Sequence, residues 1–503
     1  MKLLKKALVL CMVFVFMVPM FASAEELPAI SVLIPCDSAI PAADAPVPAE
    51  IAKRAGVNVN WNFVALADHE TKLNAYIASN DLPDIFVAGN SLAVDLISHG
   101  KLLDMRPLLE EHGANVLADG ENKYNFGINQ KGAVYGLPVQ ISYPWAMGVR
   151  RDWMENLGYD VAEGSMMEMD ISTFTQLMID FAQNDPDGDG ENDTFGFCAE
   201  DGSAGMFTPI FAAFGIPLQG WDSMYYDAEA GECYSVLQHP RFAEAMETFR
   251  TLYQTGGMDR EFAAVADAST EFGYLWNSTA GGASWSPAGT TNNWVSRYTE
   301  EGVDENSFIY LNITDDNGEN GGYYVGYSAS WVCVSASCEN PEAAIQLINY
   351  LYSVEGDTLA YLGIEGTHYQ WTNKEAEDFE YIGIYKEDLT NQRTDGGWIV
   401  WSRIHGDNNF ELRNLTQITV DCINYAKQHP FDNLAIIRNS QPAVQSEIGS
   451  NRHNIVRDAF ANMVVFEGDL NEMYADYLAE YEAINGNLYN EQFTEIYKEE
   501  NGL

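Results

Sequence analysis

A chain of 503 residues, 47% hydrophobic and 12% aromatic, can build large buried cores, and at this length more than one compact unit is expected. With 74 acidic against 26 basic residues its net charge is -48, a field that repels nucleic acid and other polyanions and keeps a protein soluble and monomeric. Seven cysteines are too few for a disulfide scaffold, and no stretch beyond the N-terminus is long and apolar enough to span a bilayer.

Lys2, Lys5 and Lys6 precede an apolar run from Ala7 to Phe21 and then Ala22-Ser23-Ala24, the layout of a secretory signal cleaved after Ala24. Leu10 stands where a lipidated Cys11 would need a small residue, so a secreted, unlipidated protein is expected. Loss of the three lysines takes the charge to -51. The remaining Cys36, Cys198, Cys233, Cys333, Cys338 and Cys422 are expected to be buried thiols.

Ala29 to Pro35 reads as a first strand, Ile51 to Ala55 as a helix, Val57 to Val64 as a second strand and Lys72 to Ala78 as a helix. Leu82 to Val87 is a short buried strand that ends at Ala88-Gly89-Asn90. Strand and helix alternating at this spacing predict a parallel sheet covered on both faces, with ligands at the carboxyl ends of its strands. Asn90 stands at such an end, where an ordinary strand-to-helix turn would also use it as a cap.

Tyr135 to Gly158 is the stretch around which the chain is organised. It begins as a β-rich run, passes through Tyr143-Pro144-Trp145, and ends in a helix start with Asp152 in the first turn. Pro144 cannot donate to a sheet ladder, so this reads as a crossing segment between two lobes, its aromatic rings facing a cleft. Farther on, Ser172 is expected to cap a helix that buries Phe174, Leu177, Met178 and Phe181.

That helix runs into Asp185-Pro186-Asp187-Gly188-Asp189-Gly190-Glu191-Asn192-Asp193. Side-chain oxygens at positions 1, 3, 5 and 9, glycine at 6 and a carbonyl at 7 match the start of a calcium loop. Alternate residues of a tight turn aim at one centre, where carboxylates without a cation would repel one another. Gly196 replaces the glutamate of position 12. A polar surface turn is the plainer reading, and a structural calcium clip fits the spacing better.

Phe242, Met246, Phe249 and Tyr253 share a helix face, and Tyr323 to Val334 is the expected return crossing. Asn340-Pro341 opens a helix, Gly363 to Tyr369 is a glycine-hinged loop, and Gly396 to Trp401 reads as loop-like. The C-terminus is helical through Tyr474, Tyr477, Leu478 and Tyr481.

Taken in order, several short segments resemble the family 1 extracellular solute-binding proteins of bacterial ABC importers. They are Leu82-Pro83-Asp84-Ile85, Tyr135-Gly136-Leu137-Pro138, Arg151-Asp152-Trp153, Leu157-Gly158 and the acidic loop from Asp185 to Asp193. Asn340 to Ala344, Gly363 to Gly366 with Tyr369, and Glu467-Gly468-Asp469 with the helices to Tyr497 extend the likeness across nearly the whole mature chain. It is similar in particular to the lipoprotein-type oligosaccharide-binding branch that includes the alginate-binding proteins.

The resemblance implies an α/β, two-lobed periplasmic-binding-protein fold of type II, with hinged lobes and a ligand cleft between them. Residues 25–142 and 330–366 would form one lobe, and residues 143–329 and 367–503 the other. It also implies capture of an oligosaccharide and its delivery to permease subunits of an ABC transporter. Alginate-binding members hold calcium in a matching loop, which would place Asp185, Asp187, Asp189, Glu191 (by its carbonyl) and Asp193 around the ion.

A sugar needs flat aromatic platforms and polar groups at its rim. Tyr143, Trp145, Trp276, Trp285, Trp398 and Trp401 are the candidate platforms, while Trp153 is assigned to core. Asp37, Asn90 and Glu365 are the polar candidates. The alternatives are a secreted carbohydrate-active hydrolase or lyase and a peptide binder on the same scaffold. No HExxH, GxSxG or CxxC is present, and the eight histidines lack ligand spacing.

Overall fold

The computed structural model describes residues 27–36, 39–118, 128–130, 132–139, 141–142, 144–264, 273–275, 277–285, 305–324, 326–327, 330–405, 415–437 and 440–503. Its larger sheet has the strand order Asn58–Ala65, Ala29–Cys36, Ile85–Gly89, Ser330–Val334, Ala133–Pro138, Ile128–Gln130. The first three strands are parallel, and Ser330–Val334 runs against both its neighbours. Side chains alternate between two buried layers. Val32, Ile34, Ile85, Val87, Val332 and Val334 enter one, and Leu33, Phe86, Ala88, Trp331 and Cys333 the other. Burial on both faces is why these strands read as continuous apolar runs rather than alternating ones.

The second sheet has the order Met166–Asp170, Phe308–Thr314, Ala146–Arg150, Ala280–Trp285, Phe195–Cys198. Ala146–Arg150 is antiparallel to both neighbours, whereas the outer pairs are parallel. Its core is rich in rings: Phe207 meets Trp221, Phe249, Phe262 and Phe460 at centroid separations of 4.4–6.4 Å. Trp153 is fully buried there, edge-on to Phe181. Asp170 caps the helix Ile171–Gln183 by accepting from the Thr173 amide at 2.8 Å. Ser172, expected in that role, lies inside the helix and donates to Asp316 instead.

The chain leaves the first sheet at Pro138 and enters the second at Ala146. It returns through Gly326–Tyr327, which pairs antiparallel with Ile141–Ser142, before Ser330–Val334 joins the first sheet. A two-stranded ladder therefore joins the lobes. The sequence reading puts the crossings at Tyr143-Pro144-Trp145 and within Tyr323 to Val334.

The segment after Gly366 packs on the first core. Residues from 367 onward are expected in the second lobe, yet Tyr369, Ile399, Val400, Trp401 and Ile404 enter the first lobe's core beside Val47 and Ile51. Arg403 Nε donates to the Pro35 carbonyl at 3.2 Å, tying the helix Gly397–Ile404 to the first strand. The second core resumes at Ile418 and Cys422. The chain thus passes between the cores a third time, between His405 and Leu415.

Candidate ligand cleft and metal loop

Strand direction fixes where a cleft can lie. Pro138, at the carboxyl end of its strand, pairs with Trp331, and Gly89 pairs with Ser330. The parallel strands of the first lobe therefore end on the side from which the chain crosses. In the second lobe Ala146 marks the same side, and it pairs with Trp285 at the carboxyl end of Ala280–Trp285. Cys198, beside Ala283, ends its strand there too. These strand ends of both sheets lie on the side from which the crossing ladder leaves.

Trp145 and Trp285 are brought to this end of one sheet, both partly buried against the second core. Trp145 lies on the backbone of Gly205, where a Cβ would come within 2.1 Å of the indole. Only glycine allows the ring to seat so closely. Ser284 Oγ donates to the Gly205 carbonyl at 3.4 Å, fastening the loop under Trp145 to the strand that carries Trp285.

The same loop holds a group that the sequence did not single out. Glu200 is 7% exposed, follows the strand end by two residues, and its carboxylate accepts no hydrogen bond from a described residue. Its amide donates to Met206 Sδ at 3.2 Å and its carbonyl accepts from the Ser203 amide, so the turn is fixed by its backbone. Burial raises the Asp201 carboxyl pKa, Arg457 opposes this, and the Glu200 charge adds to it. Among 74 acidic residues one glutamate carries no sequence signal beyond its place after the apolar run Phe195 to Ala199.

The remaining candidates separate. Asn90 opens the helix Asn90–Ser98 at the end of the strand Ile85–Gly89, on the first lobe's cleft side. Asp37, Tyr143 and Trp276 lie outside the described residues. Glu365 is exposed in the turn from Gly363 to Tyr369, where it bridges to Tyr369. Trp398 packs on the first core with the Arg393 guanidinium 4.1 Å from its ring centre. Trp401 is no platform: it is 3% exposed and its indole donates to Asp357 at 2.8 Å. The loop expected around both is the helix Gly397–Ile404, with Gly396 at φ 81° as its N-cap.

Asp185, Asp187 and Asp189 each bring a carboxylate oxygen within 4.8 Å of the others. Asp185 adopts φ 48°, and its Oδ2 accepts from the Gly190 amide at 3.0 Å. Its Oδ1 is buried without a hydrogen-bond partner among the described residues. Burial first, and then the neighbouring Asp189, holds the Asp187 carboxyl above the usual range. An orphaned oxygen and mutual repulsion at one centre are what a bound divalent cation would relieve, so the residues fit calcium. Asp193 and Glu191 are exposed, and Asp193 stands outside the group of three. No ligand can come from position 12, since a Cβ on Gly196 would lie 2.0 Å from the Gly257 carbonyl. The loop precedes Phe195–Cys198 and so lies at the strand end remote from the cleft.

A family model described as bacterial extracellular solute-binding protein matches residues 37–358. The chain belongs to that family. Over 334 residues it is 23% identical to Lipoprotein LipO of Bacillus subtilis (strain 168), a match covering 63% of this chain and 62% of LipO's length. Its fold is similar to that of S. pneumoniae FusA, a substrate-binding protein of an ABC transporter, solved as an EF-hand mutant with fructo-nystose. That likeness has a TM-score of 0.68 at 16% identity, over 94% of this chain and 99% of FusA. The alginate-binding protein AlgQ2, solved without calcium ion, matches with a TM-score of 0.67 at 15% identity, over 94% and 98% of the two chains. These likenesses make the fold the two-lobed α/β architecture of solute-binding proteins.

Proposed function

We propose that the protein captures an oligosaccharide between its lobes and passes it, chemically unchanged, to the permease subunits of an ABC importer. The observation that carries this reading is the placement of Trp145 and Trp285 at one end of the second sheet, beside the segments that join the lobes. Indoles suit the apolar face of a sugar ring, and a carboxylate such as Glu200 accepts from its hydroxyls. The fructo-nystose complex of FusA and the alginate binding of AlgQ2 support carbohydrate as the ligand class.

Asn90 is the polar contact from the first lobe, with Asp37, Tyr143 and Trp276 as further contacts and Glu365 and Trp398 at the periphery. The first lobe comprises residues 27–142 and 330–405, and the second residues 144–324 and 415–503, a division that follows the buried clusters. Asp185, Asp187 and Asp189, with the Glu191 carbonyl and Asp193, hold calcium as a clip between the helix Ile171–Gln183 and the strand Phe195–Cys198. The protein acts as a secreted monomer after cleavage at Ala24.

Thermal-shift and calorimetric screening against an oligosaccharide panel, with chromatography of the recovered glycan, tests the reading. Binding with intact glycan supports it. Release of new reducing ends identifies an enzyme, and binding of peptides with no glycan binding identifies a peptide receptor.

A further inference from the structure

Resting on the calcium reading above, we infer that Asn156, from a helix outside the acidic loop, is a positioning residue that holds the loop in its metal-binding shape before the ion arrives. Left to its own bonds the loop is poorly held. Asp185 takes φ 48°, left-handed backbone that is costly for a residue with a Cβ. Its carboxylate, with those of Asp187 and Asp189, is drawn into one small space where like charges repel until a cation enters. The bonds within the loop are short-range: the Gly190 amide donates to Asp185 Oδ2 at 3.0 Å, and the Glu191 amide to Asp189 Oδ1 at 2.8 Å.

Two anchors tie the loop to the rest of the fold. At its exit Thr194, 8% exposed, donates from Oγ1 to the Phe181 carbonyl at 2.7 Å and closes the base of the loop on the helix Ile171–Gln183. At its entry Pro186 is buried, and its carbonyl accepts from Asn156 Nδ2 at 3.0 Å. Asn156 ends the helix Arg151–Asn156, which follows the central strand Ala146–Arg150 directly. Pro186 stands between Asp185 and Asp187, so fixing it against the protein sets the backbone from which both carboxylates reach their common centre. The clip therefore joins three elements, the third being the helix that bears Asn156. With the loop ordered beforehand, less conformational freedom is lost when the ion binds, and the same oxygens hold it more tightly.

The test is calcium titration by calorimetry on chelator-stripped protein, comparing the wild type with Asn156→Ala and Tyr159→Phe, together with melting temperatures in calcium and in chelator. Asn156 is exposed, so its truncation leaves the core intact. Asn156→Ala is expected to weaken calcium binding about fivefold, the effect of one lost hydrogen bond, and to leave the melting temperature in chelator nearly unchanged. Tyr159→Phe cuts a bond from the segment just after the same helix to Asp180, and touches no residue of the loop. It is expected to lower the melting temperature equally with and without calcium and to leave calcium affinity unchanged. Equal calcium affinity in the wild type and Asn156→Ala, or the same weakening in Tyr159→Phe, overturns the inference and leaves the calcium reading standing. No calcium binding by the wild type overturns both.

Discussion

At the scale of single residues, two tryptophans that look alike in the sequence call for opposite experiments. Trp145→Ala is expected to cost about 2 kcal/mol of glycan binding, roughly a thirtyfold weaker affinity, because a central aromatic contact is lost. Trp401→Phe should leave affinity unchanged and lower folding stability by about 1–3 kcal/mol, since the buried Asp357 oxygen loses the indole donor. Calorimetry and urea denaturation on both variants separate the roles, and weakened binding in Trp401→Phe would return that ring to the cleft. His239 supplies a pH dependence. Burial, and then the nearby Arg241, pushes its pKa down to about 4, while its Nδ1 accepts from the Arg241 amide at 3.2 Å. The unfolded imidazole titrates near about 6.5 and so takes up protons first. The stability that neutral His239 contributes is whole above that pH and is lost as pH falls toward 4. The fall in melting temperature from pH 7 to pH 4 is therefore expected to be shallower in His239→Gln. Parallel curves would remove His239 from the account.

At the scale of elements, the acidic loop and the turn beneath Trp145 are the two pieces whose backbone decides function. Calcium at one hundred times its dissociation constant should stabilise the fold by about 2.7 kcal/mol, because the unfolded chain holds no preformed site. Asp185→Asn, which removes charge at the residue with the orphaned oxygen, should abolish most of that rise in melting temperature. An equal calcium-dependent rise in the variant would rule out this site. The loop was legible because its alternating aspartates and glycines encode the turn directly. The crossings were legible because proline and β-branched runs constrain the backbone wherever they stand. Gly396-Gly397 misled for a physical reason: adjacent glycines suggest a break, but Gly396 takes φ 81° to start a helix. A Cβ on Gly397 would come within 2.7 Å of the Ala360 carbonyl, so the second glycine serves close packing.

At the scale of the whole molecule, the lobe to which residues 367–405 belong was hidden because an amphipathic helix shows that it has a buried face and not which core receives it. The helix Gly397–Ile404 chose the first lobe through Ile399, Val400 and Ile404, which adds a third passage between the cores. Glu200 was hidden for a related reason, since its burial depends on a turn fastened by contacts distant in sequence. Closure is the expected large motion, as a ligand contacting both lobes only in the shut form shifts the balance toward it. Small-angle scattering should show a smaller radius of gyration with a bound glycan, and an unchanged radius at saturation would contradict closure.

The central strand Ala146–Arg150 begins one residue after Trp145, so that ring is anchored to the rigid interior of its own half and not to the connecting ribbon. Swinging the halves apart would carry the ring away with its half, its setting on Gly205 undisturbed. A visiting glycan then meets a finished landing place on one half before the other arrives. Capture in two stages follows, with arrival rate set by how often molecules collide and residence time set by how seldom the jaws part. Rapid-mixing records of indole fluorescence should accordingly resolve a concentration-dependent phase followed by one that concentration leaves unchanged.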